Sequence, residues 1–138
     1  MNNIIKDFKT TELKDTKFVH TVLVTYNQNG KNKVWEAVNS FDSVAILLYH
    51  EEKEAFLLVK QFRAPVYLNN KNHLCTYELC AGIVDKKVSL EQIAKEEIDE
   101  ECGYDVPLSS IEKITSFFTN VGVSGSCQNL FYARINES

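Results

Sequence analysis

Five acidic residues crowd into the six positions from Glu96 to Glu101. In a helix, Glu97 and Glu101 lie one turn apart and Glu100 lies beside them, so the three carboxylates share one edge. Like charges repel at this spacing, and the helix dipole disfavours anions near a C-terminal end. A hard cation, Mg²⁺ with Mn²⁺ as its alternative, would offset both costs. The other interpretation is a solvated acidic face.

The segment that carries these acids has the local signals of a helix. Ser89 is a good N-cap, and Gln92 follows three residues later as in a capping box. Gly103 stands where a glycine commonly ends a helix. The apolar residues that recur at the spacing of one buried face are Leu90, Ile93, Ala94, Ile98 and Cys102. The pattern therefore predicts one amphipathic helix with an exposed acidic edge.

Just ahead of this helix, residues 78–82 are predicted to lead from a strand into a glycine turn and a short loop. A glycine at such a bend allows backbone carbonyls to approach a metal ion or a phosphate closely. The two features together favour a site between the loop and the acidic edge.

The rest of the chain is predicted to consist mainly of strands. Residues 18–26 and 33–38 are rich in β-branched and aromatic residues and flank Asn29-Gly30, which predicts a hairpin. The other predicted strands are 44–49, 55–62, 74–79, 114–118 and 129–134, with a loop at 67–72. Many strands with one helix predict a single α/β or α+β domain over residues 1–138. In it, residues 1–17 are loose and residues 18–38 form the hairpin.

Composition argues against several classes of function. The chain has 138 residues and a net charge of -4, and an acidic surplus is unusual for a protein that binds nucleic acid. The longest apolar run is too short to span a bilayer, and the N-terminus lacks the layout of a signal peptide. The four cysteines lack metal-site spacing and disulfide density. We therefore expect a cytoplasmic protein with reduced thiols and no nucleic-acid or membrane partner.

Residues 82–104 resemble the Nudix box, G-x5-E-x7-R-E-U-x-E-E-x-G-U, where U is a bulky apolar residue. The positions that match in register without a gap are Gly82, Glu97, Ile98, Glu100, Glu101 and Gly103, and Tyr104 fits the last position. Two positions depart from the box, because Val88 replaces its first glutamate and Glu96 replaces its arginine. That arginine usually orients a metal-binding glutamate through a salt bridge, so its replacement by Glu96 removes a contact that sets the geometry of the metal site.

From about residue 18 onward the chain resembles the ADP-ribose/UDP-sugar pyrophosphatase branch of this family, and more closely its animal UDP-glucose pyrophosphatases. The stretches KQFR at 60–63 and ELCAG at 78–82 are characteristic of the branch. The resemblance implies the Nudix fold, an α/β/α sandwich around a mixed β-sheet. It also implies that the C-terminal helix of the family is lacking, as in a C-terminally truncated form.

The resemblance assigns the metal site to the acidic edge. Glu97, Glu100 and Glu101 would be the catalytic carboxylates and would bind Mg²⁺, or Mn²⁺, together with the carbonyl of Ala81. The general base of the branch lies on a loop beyond the end of this chain. Glu112 is not well placed by pattern, nor is Glu137, and Glu100 could serve if the other carboxylates hold the metal.

The resemblance also implies the substrate contacts. Arg63 would bind a diphosphate, with a surface charge at a strand end as its alternative role. Glu78 would hold a sugar hydroxyl, the metal shell or Arg63. Trp35 would stack on the nucleobase, although a lone tryptophan on a strand is more often part of a core or an interface.

The implied reaction is the Mg²⁺-dependent hydrolysis of the diphosphate bond of a nucleoside diphosphate sugar. UDP-glucose would give UMP and glucose 1-phosphate, and ADP-ribose would give AMP and ribose 5-phosphate. The second hypothesis is a catalytically inert Nudix module that binds a nucleotide sugar or a partner protein. A homodimer with contacts from the hairpin is expected, because a sheet face without its helix would expose an apolar patch.

Overall fold

A computed structural model describes residues 4–137, and its first two strands form a hairpin. Strand β1 (His20–Gln28) pairs antiparallel with β2 (Lys31–Asn39). Asn29 and Gly30 connect them with φ angles of 55° and 79°. Two central residues with positive φ are the mark of a type I′ turn, whose twist matches that of the flanking strands. The predicted hairpin is confirmed.

The segment before the hairpin is described from residue 4, and residues 1–3 of the predicted loose N-terminus lie outside the described part. Residues 4–19 contain no helix or strand. The ring of Phe8 nevertheless packs edge-on against Tyr67, with 4.9 Å between centroids, and the ammonium of Lys71 lies 3.9 Å from the Phe8 centroid. This aromatic contact anchors the segment to the body of the protein.

The centre of the fold is a five-stranded mixed sheet built around β3 (Ser43–His50). Strand β3 runs parallel to β9 (Cys127–Ile135), and its two ends pair antiparallel with β4 (Ala55–Leu57) and β7 (Cys80–Ile83). Strand β8 (Glu112–Phe118) pairs antiparallel with β9 at the far side. The strands predicted for β3, β8 and β9 are confirmed, and so is the mixed sheet of an α/β protein.

Two predictions between β4 and β7 are wrong. The single strand predicted at 55–62 is divided, because β4 pairs with β3 whereas β5 (Val59–Gln61) pairs antiparallel with β6 (Thr76–Glu78) in a separate ribbon. The loop predicted at 67–72 begins inside a short helix, α1 (Ala64–Asn69). Pro65 stands in the first turn of α1, where its lack of an N–H costs nothing.

The predicted amphipathic helix is confirmed as α2 (Leu90–Glu97), which continues as a π-helical turn (Ile98–Cys102). The hydroxyl of Ser89 accepts a hydrogen bond from the backbone N–H of Gln92 at 3.2 Å. Gly103 ends the helix with a φ of 76°, in the left-handed region that glycine tolerates best. A 3₁₀ turn (Leu108–Ser110) then leads into β8.

The apolar face of this helix packs on the mixed sheet. Its buried side chains are Ile93, Ala94 and Ile98, and they join a core with Val44, Ile46, Leu48 and Phe131. Each fully buried side chain of this size contributes roughly 1.5–3 kcal/mol. This packing fixes the helix relative to the sheet, so that the acidic edge lies beside β7. Among residues 4–137, no helix combines the length and apolarity that crossing a bilayer requires.

Candidate active site

Strand β7 directs the backbone of Ala81 toward the acidic end of the helix. The N–H of Val84 donates to the carbonyl of Asp42 at 2.8 Å, so the hydrogen-bonded pairs of β3 and β7 alternate from there and skip Ala81. The N–H and C=O of Ala81 therefore point away from β3. That N–H donates to Oε2 of Glu101 at 3.2 Å. The Ala81 carbonyl thus lies on the same edge of β7 as the Glu101 carboxylate.

Glu97 lies directly against the backbone of Gly82. A Cβ atom at position 82 would lie 2.0 Å from Oε1 and 2.1 Å from Cδ of Glu97, which is closer than real contacts allow. The prediction that Gly82 forms a bend after the strand is wrong, because Gly82 lies within β7 and is not among the glycines with positive φ. Its missing side chain provides room for a carboxyl group.

The acids of the helix influence one another. The pKa of Glu97 is raised, first because the carboxyl is partly buried and then because the negative charges of Glu101 and Glu100 lie nearby. Glu100 and Glu101 are themselves exposed. A nearby cation would favour the charged form of Glu97 and reverse the effect of its neighbours.

Within residues 4–137, no three side chains of the histidine, cysteine or acidic type converge closely enough to bind one metal ion. The oxygen donors that do meet at β7 belong to Glu97, Glu101 and the backbone of Ala81. Mg²⁺ prefers oxygen ligands, keeps several water molecules and commonly takes only one or two carboxylates from a protein. The chemistry of this donor set therefore fits Mg²⁺.

Position 96, where the box has arginine, is held by an ion pair that the sequence did not predict. The ammonium of Lys86 lies 2.6 Å from Oε2 of Glu96, and the side-chain amide of Gln92 donates to Oε1 at 3.0 Å. These two partners, Lys86 first, lower the pKa of Glu96. The expected reciprocal capping box is therefore only half formed, because the Gln92 side chain turns to Glu96 rather than back to Ser89.

Arg63 and Glu78 bind each other. The Nε and Nη2 atoms of Arg63 donate to the Glu78 carboxylate at 2.6–3.0 Å, and Gln61 and Thr76 donate to the same carboxylate at 2.7 and 2.8 Å. The Arg63 guanidinium is the main reason why the pKa of Glu78 is lowered to about 2. Of the three roles predicted for Glu78, this geometry matches the one in which Glu78 holds Arg63. The Glu78 carboxylate raises the pKa of Arg63, and the negative charge of Glu101 adds a smaller effect in the same direction.

Trp35 has a different neighbourhood from the other predicted residues. Its indole N–H donates to the carbonyl of Gly122 at 2.8 Å, and the neighbouring N–H of Val38 donates to the carbonyl of Val123 at 2.9 Å. The ring itself is 54% exposed. Within the described residues Trp35 has no hydrogen bond or ring contact with Arg63 or with the acidic edge. Its observed role is to attach the loop at 120–125 to the hairpin.

The two glutamates that follow the box are engaged elsewhere. Glu137 forms an ion pair with Lys53 and lies 3.8 Å from Nε2 of the buried His50. Glu112 begins β8 opposite Tyr132. Neither residue contacts the acidic edge in the described part of the chain.

No protein-family model matches the chain. It is 35% identical to uridine diphosphate glucose pyrophosphatase NUDT14 of Bos taurus, in an alignment that covers 82% of this chain and 63% of that protein. Identity to the protein of the same name from Mus musculus is 32%, with the same coverage. A GDP-mannose pyrophosphatase of Pectobacterium atrosepticum is 32% identical, with 77% of this chain and 53% of that protein covered. The chain thus spans less than two thirds of the length of these relatives.

Proposed function

Because the chain belongs to the Nudix family, we propose that it hydrolyses the diphosphate bond of a nucleoside diphosphate sugar with Mg²⁺ as its cofactor. The names of its relatives, which refer to UDP-glucose and GDP-mannose, support this substrate class. The observation that carries the proposal is the convergence of the Glu97 and Glu101 carboxyls on the Ala81–Gly82 backbone of β7. UDP-glucose would be cleaved to UMP and glucose 1-phosphate, and ADP-ribose to AMP and ribose 5-phosphate.

Each residue has a task in this proposal. Glu97, Glu101 and the Ala81 carbonyl would hold Mg²⁺, or Mn²⁺ in its place. The ion, when bound, would lower the pKa of water and neutralise charge on the diphosphate. Glu100 is exposed and has no hydrogen bond or ion pair among the described residues, so its carboxylate is free to accept the proton of the attacking water.

Arg63 would bind the diphosphate. Its Nε and Nη2 atoms are occupied by Glu78, but Nη1 has no hydrogen-bond partner within residues 4–137. A guanidinium fixed along one edge can present its other donors to a phosphate oxygen with little loss of side-chain entropy. Glu78 would then act through Arg63, by orienting it.

The test is the release of phosphate in a phosphatase-coupled assay, with and without Mg²⁺. UDP-glucose, GDP-mannose, ADP-ribose and a dinucleoside polyphosphate should be compared under the same conditions. We expect turnover of at least one nucleotide sugar that depends on Mg²⁺ and is lost with EDTA. Turnover of the dinucleoside polyphosphate alone would refute the substrate class.

The second candidate is an inert module that binds a nucleotide sugar or a partner protein. Val88 and Glu96 favour it, because both positions depart from the box. Calorimetric titration with UDP-glucose distinguishes the two candidates, since an inert module would bind the sugar nucleotide without releasing any product.

We further propose a cytoplasmic homodimer with no nucleic-acid or membrane partner. The hairpin supports the dimer, because several large apolar side chains on it are exposed, among them Leu23 and Val34 at 65% each. The four cysteines are free, as in a reducing compartment. Light scattering at micromolar concentration tests the dimer, and a stable monomer that binds no hydrophobic dye would refute it.

A further inference from the structure

The chain differs from the Nudix box at two charged positions, because Glu96 has the opposite charge to the arginine of the box and Val88 has none. The box has an acid in the segment before the helix and a base within the helix. Here that segment contributes Lys86 and the helix contributes Glu96, and the two are joined at 2.6 Å. Val88, which stands where the box has its acid, is exposed and carries no charge. The surplus acid on the helix therefore has its own counter-ion, supplied by the preceding segment.

Glu96 precedes Glu97 directly, and it is the first of the five acids of the crowded segment. A carboxylate in this position, if released, would be an additional oxygen ligand next to those that converge on β7. In the structure both of its oxygens are occupied, one by Lys86 at 2.6 Å and the other by Gln92 at 3.0 Å. The pair therefore fixes the direction of the Glu96 side chain.

Lys86 is close enough to influence the other acids. Its positive charge acts on Glu97 and opposes the effect of Glu101 and Glu100 on the pKa of that carboxyl. Glu100 and Asp85 in turn act on Lys86, after Glu96. The ammonium of Lys86 therefore binds Glu96 and also acts electrostatically on the pKa of Glu97.

We propose that Lys86 is a positioning residue, which holds Glu96 away from the carboxylates that bind the metal ion. This inference rests on the proposed function, because it assumes that Glu97 and Glu101 bind a divalent cation. It differs from a role in stability alone, since an ion pair whose side chains are 51% and 33% exposed contributes little to folding.

The test compares Lys86→Met with the double variant Lys86→Met/Glu96→Gln and with Lys87→Met. Lys87 is the matched control, because it is the adjacent lysine, is exposed and has no hydrogen bond or ion pair in the described part of the chain. The readouts are kcat/KM for UDP-glucose at fixed Mg²⁺, and the binding of Mn²⁺ measured by electron paramagnetic resonance. Melting temperatures confirm that all variants fold.

We expect Lys86→Met to lower kcat/KM about tenfold, the lower end of the effect of partners that orient metal ligands. Its affinity for Mn²⁺ should not weaken, because the released Glu96 adds a ligand and a positive charge is lost. The double variant should recover the kcat/KM of Lys87→Met, since glutamine at position 96 no longer competes for the cation. Loss of activity without loss of metal binding, restored by a second substitution, is not expected of an ion pair that only stabilises the fold.

Three results would overturn the inference. The first is a kcat/KM of Lys86→Met equal to that of Lys87→Met, and the second is a double variant no more active than Lys86→Met. The third is a wild-type protein that binds no Mn²⁺. A wild type that binds Mn²⁺ but hydrolyses no nucleotide sugar would refute the proposed function alone. In that case Lys86 is tested by the Mn²⁺ spectrum, which should differ between Lys86→Met and the double variant, and identical spectra would refute its role.

Discussion

Replacement of Gly82 by alanine should displace the Glu97 carboxyl without unfolding the protein. The new methyl group would lie 2.0 Å from Oε1 of Glu97, whereas ordinary contact begins at 3.4 Å. The carboxyl must therefore retreat by at least about 1.4 Å, the difference between these distances. The clash extends to Cγ of Glu97 at 2.5 Å but involves only side-chain atoms, so the partly buried side chain can swing toward solvent as a whole.

The expected change in stability is small. Gly82 is not among the residues with left-handed φ, so alanine is compatible with the backbone. Replacement of glycine at such a position stabilises a protein by about 0.4–1 kcal/mol through the unfolded chain. The lost contacts of the Glu97 side chain act in the opposite direction. We therefore expect a net change within about 1 kcal/mol, or about 4 °C in Tm.

The expected change in activity is large. A displacement of about 1 Å in a catalytic arrangement can cost about 100-fold in rate, which corresponds to about 2.7 kcal/mol of activation free energy. Phosphatase-coupled hydrolysis of UDP-glucose measures kcat/KM, and calorimetry measures Tm. Gly122→Ala is the control, because a Cβ atom there meets nothing within 4 Å and Gly122 lacks a left-handed φ. If Gly82→Ala kept the kcat/KM of the control, the position of Glu97 against β7 would have no part in catalysis.

Three further predictions concern single residues. Glu101→Gln should abolish Mg²⁺-dependent turnover. It should leave Tm unchanged or higher, because it removes a like-charge neighbour of Glu97 while the amide oxygen can still accept a hydrogen bond from the Ala81 N–H. Unchanged activity would show that Glu101 is not part of the site. Glu78 has its pKa lowered to about 2, so its ionised form stabilises the fold above its ordinary value of 4.5 and that contribution is lost as the pH falls toward 2. Calorimetry should therefore show Glu78→Gln below the wild type in Tm at pH 7 with a gap that closes at acid pH, and a constant gap would contradict the role of the Arg63 pair. Trp35→Phe removes the bond to the Gly122 carbonyl, so hydrogen exchange at the amides of 120–125 should become faster, and unaltered protection would show that this bond does not hold the loop.

Elements that depend on local signals could be predicted from the sequence. Asn29-Gly30 specifies a type I′ turn by backbone conformation alone, and Ser89 and Gly103 mark the two ends of the helical segment. The division of 55–62 could not be predicted, because β4 and β5 differ only in their partners. The partner of β4 is the preceding strand β3, whereas β5 pairs with β6 across the intervening helix α1, and the apolar pattern of one segment does not show where the partner changes.

The residues of the candidate site also fall into those that the sequence predicts and those that it does not. The carboxylates of the acidic edge follow from helical spacing, and Ala81 follows from resemblance to the family. Lys86 could not be selected, because Lys86 and Lys87 are adjacent and chemically identical in the sequence. Only the path of the segment before the helix decides which of them meets Glu96. The sequence marks Gly82 as a special position but does not show its role, since a glycine in a strand and a glycine at a bend look alike in the sequence.

Contacts with β7 explain how the acidic edge is tolerated. In a regular α-helix the carboxylates of Glu97 and Glu101 would lie one above the other, at a cost of about 0.2–0.5 kcal/mol. Here the helix continues after Glu97 as a π-helical turn, and the negative charge of Glu101 still raises the pKa of Glu97. The two carboxyls then meet consecutive residues of β7, Glu97 at Gly82 and Glu101 at the N–H of Ala81. A hydrogen bond of this kind contributes about 0.5–1.5 kcal/mol, which is enough to offset the repulsion. The strand therefore compensates part of the negative charge of these acids, through the Ala81 N–H that donates to Glu101.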